Sequence, residues 1–259
     1  MPIDDFELFM ESIFKYTRID LRKYKRPQMQ RRLTALRDKR GFRDFMSYFD
    51  GLKKDDKLFG EFLDRMTINV SEFFRNPNRW DVVRDRVVPE MLVGKRRLKI
   101  WSAACSTGEE PYTLVMLLSK FMPLSDIQIL ATDLDENALS KAKQGLYSER
   151  SLHFVPEEFK RKYFTETPNN LFAVSEAVKR CVTFKKHNLL EEAFDSDFDL
   201  IVCRNVIIYF TEDAKDILYR KFSDALRPGG VLFVGSTEQI FNPQSFRFTT
   251  YDTFFYQRQ

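Results

Sequence analysis

From Leu98 to the end of the chain, short apolar runs alternate with stretches whose apolar residues recur at helical spacing. The apolar runs predict strands near Leu98–Trp101, Ile127–Ala131, Phe198–Cys203 and Val231–Gly235, and an antiparallel edge from Phe246–Phe248 and Phe254–Tyr256. The run at 198–203 is apolar except for Asp199, which is typical of a strand buried on both faces. This alternation predicts an α/β fold with a largely parallel sheet and helices on both of its faces.

The first 68 residues have a different pattern, in which apolar side chains repeat at helical spacing. Helices are predicted at Asp4–Thr17, at Gln28–Arg40 after a break at Pro27, and at Asp55–Ile68. The second helix has Met29, Leu33 and Leu36 on one face, with Arg31, Arg32 and Lys39 turned away from it. Three or four such helices predict a small all-α domain over residues 1–68.

Residues 69–89 are predicted to connect this domain to an α/β domain at 90–259. They begin with NVSEFFRNP and continue as a helix that ends at Pro89. From composition alone a plain linker is favoured, with Phe73 and Phe74 buried between the domains and Arg75 solvated.

The α/β alternation is itself interrupted from about 145 to 186. Short strand patterns at Leu171–Val174 and Val182–Phe184 predict a β-rich insertion carried on the main sheet. With 259 residues, of which 43% are hydrophobic, the chain is long enough to bury a sizeable core.

Composition narrows the compartment and the chemistry. The N-terminus carries Asp4, Asp5 and Glu7 where a signal peptide needs positive charge, and no apolar run approaches the roughly 18 residues of a membrane helix. We therefore expect a cytoplasmic protein without membrane insertion. The three cysteines and two histidines lack ligand spacing, so no metal site and no disulfide framework is predicted.

Charge is distributed unevenly along the chain. The stretch Arg18–Arg43 contains eleven Lys or Arg residues and two Asp residues, which gives it a net charge of +9; the whole chain carries +4, so the rest carries −5. The basic face of the second helix is either a solvated surface or a docking site for an acidic partner. Composition alone favours the solvated surface.

The stretch LKIWSAACSTGEEPYTLVMLL has the pattern of a strand, a tight turn and a helix. Ser106 and Thr107 each stand three residues before a glutamate, Glu109 or Glu110, so a capping box is expected in either register. Only one glycine, Gly108, is present where a dinucleotide fingerprint has three. Two carboxylates at a helix N-terminus suit a ligand with positive charge near its reactive end, such as S-adenosylmethionine. The alternative is that both glutamates only cap the helix.

Polar residues follow the later strands where ligands of open α/β sheets bind. Asp133 lies 25 residues after Gly108, near the separation at which an acid reaches an adenosine ribose; the alternative is that it or Asp135 caps the next helix. The amide of Asn188 is a candidate for an adenine edge. After the strand at 198–203 come three more candidates, Arg204, Asn205 and Tyr209.

The motifs AACSTGEEPYT, ATDLDENAL, HNLL, CRNVIIYF and LRPGGVLF, preceded by NVSEFFR, resemble the CheR-type chemotaxis methyltransferases over nearly the whole chain. The resemblance implies a helical N-terminal domain followed by a Rossmann-like class I methyltransferase domain with a small inserted β-subdomain. It also implies methyl transfer from S-adenosylmethionine to glutamates in the cytoplasmic helical region of chemoreceptors, forming methyl esters for sensory adaptation.

The resemblance also assigns residues. Cofactor contacts are implied for Asn69, Ser71, Arg75, Glu109, Asp133, Asn188, Leu189, Arg204 and Asn205, with Arg75 and Tyr209 flanking the reacting centre. The basic face, represented by Arg31, Arg32 and Lys39, is the candidate for receptor docking. Members that grip a receptor tail carry a glycine-rich loop in the β-subdomain, whereas Phe164–Phe172 has no glycine. This departure predicts methylation without a tail tether, by a protein that we expect to be a monomer.

The chemistry agrees with the paucity of histidine. A glutamate carboxylate has an unperturbed pKa of about 4.3, so it is ionised at neutral pH and attacks a sulfonium methyl without a general base. Two other functions are considered. An RNA methyltransferase would interleave aromatic residues with the arginines of Gln28–Arg40, where there are none, so no nucleic-acid partner is expected. A non-catalytic signalling adaptor that binds S-adenosylmethionine would not need both Arg75 and Tyr209.

Overall fold

A computed structural model describes residues 4–67 and 69–259 of the chain. Its N-terminal part contains four helices: α1 (Asp5–Thr17), α2 (Arg26–Lys39), α3 (Phe45–Leu52) and α4 (Asp56–Thr67). The predicted end of the third helix, Ile68, lies outside the described residues. The helix at 45–52 was not predicted individually; its N-terminus is fixed by a capping box between Asp44 and Ser47.

Proline positions account for two errors in the predicted helix ends. Helix α2 begins at Arg26, so Pro27 lies inside its first turn and does not precede the helix. The connector forms α5 (Pro77–Val82) and α6 (Val88–Met91) with a π-helical turn at 83–87 between them, and the helix passes through Pro89. Pro27 is tolerated in the first turn of α2 because its missing N–H would have no helical partner there, whereas Pro89 directly follows the π-helical turn.

The second part is built on a seven-stranded sheet. Its strands are β1 (Ile100–Ala103), β2 (Ile129–Asp133), β6 (Val182–Lys186), β7 (Phe198–Cys203), β8 (Leu226–Val234), β9 (Phe248–Asp252) and β10 (Phe255–Arg258), in the order β6-β2-β1-β7-β8-β10-β9. The first five in that order pair in parallel, and β10 pairs antiparallel with β8 and β9. The helices α7 (Glu109–Leu118), α8 (Glu136–Gln144) and α11 (Glu212–Ala225) connect successive strands.

The insertion is a separate small sheet. Strands β3 (Leu146–Ser148), β4 (Phe164–Glu166) and β5 (Leu171–Val174) pair antiparallel in the order β3-β5-β4, with helices α9 (Glu157–Tyr163) and α10 (Glu176–Lys179) beside them. The strand expected to close the insertion, at 182–184, belongs instead to the main sheet, where β6 pairs in parallel with β2. The pattern predicted the strand, but a parallel partner distant in sequence decides which sheet a strand joins.

Both faces of the main sheet are buried. Along β7, Ile201 and Cys203 face one core with the N-terminal helices and α11, while Leu200 and Val202 face a second core with α7 and the insertion. The predicted α/β fold behind an all-α domain is thus confirmed, whereas the proposed limits at 68 and 89 stay a prediction. No helix within the described ranges is long and apolar enough to cross a membrane.

The acidic interruption of β7 has a structural role. Asp199 is 3% exposed; its Oδ1 pairs with Lys95 Nζ at 2.6 Å and with Arg227 Nε, and its Oδ2 accepts from Lys99 N at 2.8 Å. Burial alone would raise the pKa of this carboxyl, but the hydrogen bonds from these groups hold it below its usual value. The charged form of Asp199 therefore ties β7 to the segments that precede β1 and begin β8.

We predict that Asp199→Asn lowers the free energy of unfolding by about 1–3 kcal/mol at pH 7, because one charged acceptor is lost among partly exposed cations. A depressed folded-state pKa stabilises the fold only while the carboxyl is ionised. The difference between wild type and variant should therefore narrow below about pH 4, where the carboxyl of the unfolded chain becomes protonated. Urea unfolding from pH 7 to pH 3 measures it; a difference that stays constant over this range would contradict the assignment.

Candidate active site

A cavity of about 950 Å³, counting the open space at its mouth, lies at the carboxyl ends of β1, β2 and β7. It is lined by eight of the nine residues implied as cofactor contacts and by Tyr209. The eight are Asn69, Ser71, Arg75, Asp133, Asn188, Leu189, Arg204 and Asn205. The N-terminal domain contributes Tyr24, Met66 and Thr67, so the cavity lies between the two parts of the chain. The structure brings these residues together, and their contact with a cofactor stays a prediction.

The turn after β1 forms one wall of the cavity with small side chains in an unusual backbone conformation. Ala104 and Ser106 have φ values of 63° and 49°, and the Cys105 N–H donates to Thr132 O at 2.9 Å. Helix α7 starts at Glu109 with Gly108 as its N-cap and has no side-chain cap, so the expected capping box is absent. Gly108 is required by packing, because a Cβ there would lie 2.8 Å from that of Ala142 and 3.0 Å from the Tyr147 hydroxyl.

The two glutamates of this turn have different surroundings. Glu109 is 4% exposed, accepts from Thr107 Oγ1 at 2.7 Å, and is not among the described residues that line the cavity. Glu110 lines it, accepts from Ser102 Oγ at 2.8 Å, and lies 3.8 Å from Arg204 Nη1. The helix thus turns Glu110, and not Glu109, into the cavity, and the implied contact of Glu109 with a cofactor stays a prediction.

Burial changes the acidity of two of the carboxylates that line the cavity, Glu110 and Asp133. Desolvation raises the pKa of Glu110 to about 7, against the opposing effects of Arg204 and Ser102. It raises the pKa of Asp133 to about 6, although amides of neighbouring residues donate to this carboxylate. A nearby positive charge would stabilise the charged form of Glu110 and of Asp133, because burial has removed part of the hydration of each carboxylate.

The two aspartates after β2 have different roles in the structure. Asp133 is 6% exposed and lines the cavity, where its Oδ2 accepts from Ser106 N at 2.8 Å and its Oδ1 from Asp135 N at 3.0 Å. Asp135 caps α8 by accepting from Asn137 N at 2.8 Å and from Ala138 N at 3.2 Å. The capping alternative thus applies to Asp135, which leaves Asp133 on the cavity wall.

The connector is held against the sheet by a buried arginine. Arg204 Nη2 donates to Arg75 O at 2.8 Å and to Asn76 Oδ1 at 2.9 Å. Its guanidinium also stacks on two aromatic rings, 5.3 Å from the centroid of Trp80 and 4.8 Å from that of Phe233. Arg204 therefore positions the backbone of Arg75, in addition to facing the cavity.

Arg75 stands between two residues in the left-handed backbone region, Phe74 with φ 53° and Asn76 with φ 62°. The Phe74 ring is buried and its N–H donates to Thr113 Oγ1 at 3.1 Å. Arg75 Nη1 donates to Val70 O at 3.1 Å, and the side chain lines the cavity. The linker interpretation is therefore right for the phenylalanines and incomplete for Arg75, which composition treated as solvated.

The N-terminal domain reaches the segment that carries Tyr209 through backbone pairing that the sequence did not reveal. Lys25 N donates to Tyr209 O at 2.8 Å, Thr211 N donates to Lys23 O at 2.9 Å, and the Tyr24 ring packs edge-on against Phe210. This pairing fixes the segment that carries Tyr209 to the segment that leads into α2.

The basic face of α2 continues from this contact. The guanidinium of Arg32 lies 5.1 Å from the centroid of the Tyr209 ring. Among the described residues, Arg31, Arg32 and Lys39 make no ion pair, whereas Arg37 pairs with Asp38 and Arg40 pairs with Glu61. The predicted docking residues are therefore cations without acidic partners, and one of them lies beside the predicted catalytic tyrosine.

In the turn after β6, which also lines the cavity, hydrogen bonds within the turn occupy several of the polar groups. Asn188 Oδ1 accepts from Leu190 N at 3.0 Å, so the amide nitrogen and one further lone pair of this oxygen remain for a ligand. His187, which sequence reasoning missed as a lining residue, is 7% exposed and places Nε2 3.1 Å from Ala193 O. Burial lowers the pKa of His187, so the ring is neutral at physiological pH. The position of His187 directly before Asn188 is the sequence feature that could have identified it as a lining residue.

The described residues contain no group of three or more His, Cys, Asp or Glu side chains placed to hold a metal ion. All three cysteines are buried and unpaired, and burial raises the pKa of Cys105 well above its usual value. That no metal is needed stays a prediction.

Comparisons with known proteins agree with this geometry. Residues 69–255 match the family model "CheR methyltransferase, SAM binding domain", and residues 4–67 match "CheR methyltransferase, all-alpha domain". A chemotaxis protein methyltransferase of Listeria innocua is 42% identical over 97% of this chain and 96% of that protein. One from Borreliella burgdorferi is 33% identical over 92% of this chain and 88% of that protein. Chemotaxis protein methyltransferase 1 of Pseudomonas aeruginosa is 34% identical over 92% of this chain and 91% of that protein.

The family models together cover nearly all of the described chain, and the relatives match over almost their full length. The chain therefore belongs to the CheR methyltransferase family and is, at that level, an S-adenosylmethionine-dependent methyltransferase of chemotaxis.

Proposed function

We propose that this protein transfers the methyl group of S-adenosylmethionine to glutamate side chains of chemoreceptors, forming methyl esters for sensory adaptation. The observation that carries the proposal is the contact between Arg32 and Tyr209. It makes the unpaired basic face of α2 continuous with the mouth of the cavity. An acidic receptor helix lying on that face would bring its glutamates to Tyr209.

The cavity suits the cofactor's charge distribution. S-adenosylmethionine, when bound, supplies an electrophilic methyl group on a sulfonium beside a positively charged ammonium. Glu110 is a cavity carboxylate whose distance of 3.8 Å from Arg204 Nη1 exceeds a hydrogen bond, so it keeps capacity to accept from the ammonium. Asp133 would accept from the ribose hydroxyls, and the turn at Asn188 and Leu189 would receive the adenine.

The remaining candidates fit around these anchors. Asn69 is fixed by its own contacts, because Nδ2 donates to Asp135 Oδ2 at 2.7 Å and Oδ1 accepts from Ser106 Oγ at 3.0 Å. It would close the cavity over the cofactor together with Ser71. Glu109, which was the candidate in place of Glu110, would act on the site only through its contact with Thr107 in the turn before α7.

The substrate carboxylate needs placement more than activation. It is ionised at neutral pH, so the protein has no proton to remove and must hold the carboxylate in line with the methyl group. In well-oriented reactions such placement lowers a barrier by up to about 7–11 kcal/mol. Arg75 and Tyr209 would orient the carboxylate through charge-assisted hydrogen bonds, with Arg75 also near the charged end of the cofactor.

The proposal also covers how the receptor is bound. The turn between β4 and β5 spans residues 167–170 and has the sequence TPNN, with Asn170 at φ 54°. We propose that this short turn does not grip a receptor tail and that docking rests on α2 alone. We also propose that the protein acts as a cytoplasmic monomer on the cytoplasmic helical region of the receptor.

Transfer of labelled methyl from S-adenosylmethionine to purified chemoreceptor tests the proposal. Label should appear on the receptor and be released by mild base, as expected for a carboxyl ester. Label on RNA in a parallel incubation would favour the RNA methyltransferase. Cofactor binding without transfer to any receptor would favour the signalling adaptor.

Asp133→Ala should weaken binding of S-adenosylhomocysteine by about 1–3 kcal/mol, because the ribose hydroxyls lose a charged acceptor in a desolvated cavity. Calorimetry measures the affinity. Asp213→Ala, at an exposed aspartate of α11, is the matched control and should bind like wild type. Equal affinity of the Asp133 variant and the control would remove Asp133 from the cofactor site.

Tyr209→Phe should lower kcat with receptor by a factor of about 3 to 10, the equivalent of one lost hydrogen bond. Cofactor affinity should not change, since the proposed partner of the hydroxyl is the substrate carboxylate and the ring remains for Arg32. Steady-state methylation and calorimetry supply the two values. The role fails if cofactor affinity collapses while kcat is retained.

Reversing Arg31 and Lys39 to glutamate should raise KM for the receptor several-fold, with the largest effect at low salt, because these exposed cations would steer an acidic helix. Arg32 is left intact so that its contact with Tyr209 does not confuse the result. Lys143→Glu with Arg161→Glu, on α8 and α9, changes the net charge equally and should leave KM near the wild-type value. Equal KM for both double variants at low ionic strength would support the solvated-surface alternative.

A further inference from the structure

A buried carboxylate outside the predicted site holds the loop that follows β7. Glu238, four residues after the end of β8 in the turn that begins at Gly235, is 4% exposed. Its Oε2 accepts from Asn205 N at 2.7 Å and from Gly235 N at 2.7 Å, and its Oε1 accepts from Ile208 N at 3.1 Å. No cation within the described chain forms an ion pair with it, and its recorded hydrogen bonds come from backbone N–H groups.

The loop that these bonds fix carries three site candidates. It runs from Arg204 through Asn205 to Tyr209, with Asn205 in the left-handed backbone region at φ 61°. The Glu238 carboxylate thus links the N–H groups of Asn205 and Ile208, near the two ends of this loop, to the end of the neighbouring strand β8. Arg204 and Tyr209 flank the fixed segment, so the position of the tyrosine depends on where the segment lies.

The fit leaves no spare room around the carboxylate. A Cβ at position 235 would lie 2.5 Å from Glu238 Oε2 and 2.8 Å from Asn205 N, so only glycine permits this approach. Burying a carboxylate is costly unless every oxygen is satisfied. Neutral glutamine keeps the size of the side chain but turns an NH₂ donor toward N–H donors, which repel it.

We propose that Glu238 is a positioning residue for methyl transfer: through the N–H groups of Asn205 and Ile208, it sets the loop that presents Tyr209 at the cavity mouth. The role assigned to Tyr209 rests on the proposed function; the fixing of the loop does not. Glu238 lies behind the loop, so it acts on the reaction through the backbone and not by contact with either substrate.

Glu238→Gln tests the proposal against Asp199→Asn as a matched control. Both remove the charge of a buried carboxylate. Asp199 accepts from one backbone N–H and pairs with two cations at the start of β7, whereas Glu238 accepts from three backbone N–H groups beyond the carboxyl end of that strand. Both variants should lose stability. When the two variants are compared at equal folded fraction, only Glu238→Gln should lower kcat by about tenfold or more, because misplacing a reacting group slows the reaction by at least this factor. KM for receptor should stay near the wild-type value. Equal kcat values for the two variants would overturn the proposal.

Two further measurements keep the test decisive if the glutamine variant folds poorly. Gly235→Ala disturbs the same carboxylate without removing it and should reproduce the loss of kcat; full activity in a folded Gly235→Ala protein would count against the proposal. In wild type, hydrogen exchange should find the amides of Asn205 and Ile208 protected, although they lie in a loop. Fast exchange at both would overturn the proposal whether or not receptor is methylated, and a wild type that leaves receptor unmodified would instead contradict the proposed function.

Discussion

The site depends on one buried cation, the guanidinium of Arg204. It is 8% exposed, and its nearest carboxylate, that of Glu110, is 3.8 Å away, so hydrogen bonds to the connector and two aromatic faces supply most of its compensation. A buried charge demands such partners, because leaving it unpaired costs several kcal/mol. The need to satisfy Arg204 therefore holds the connector against β7 and brings Arg75 to the cavity beside Glu110. Removal of this cation would release both the connector and Glu110 from the contacts that Arg204 makes with them.

The second constraint joins the two parts of the chain near Tyr209. Backbone pairing of residues 23–25 with residues 209–211 places the start of α2 beside the predicted catalytic tyrosine, and Arg32 then covers its ring. The loop with Tyr209 is thus fixed from two sides, by the N-terminal domain and by Glu238 behind it. A helix bound on α2 would therefore contact an element that is joined to the segment carrying Tyr209.

Sequence patterns predicted most of the architecture, because strands buried on both faces and amphipathic helices leave periodic signals. Eight of the nine cofactor contacts that the motifs imply also line one cavity in the structure. The errors came from information that a local pattern lacks. Whether Glu109 or Glu110 faces the cavity depends on where α7 begins, and the absent capping box moved that start. The pairing of Tyr24 with Phe210 joins residues 186 positions apart, and Glu238 looks like any surface glutamate until its neighbours are known.

We propose that the cavity between the two parts of the chain holds the cofactor, with its sulfur toward Tyr209 and the basic face of α2. A crystal structure of the protein with S-adenosylhomocysteine tests this most directly. We expect the ribose hydroxyls on Asp133, the amino group on Glu110, the adenine at the turn of Asn188 and Leu189, and the sulfur facing the mouth beside Tyr209. A ligand bound elsewhere, or one bound in the cavity with its sulfur turned away from Tyr209, would contradict it.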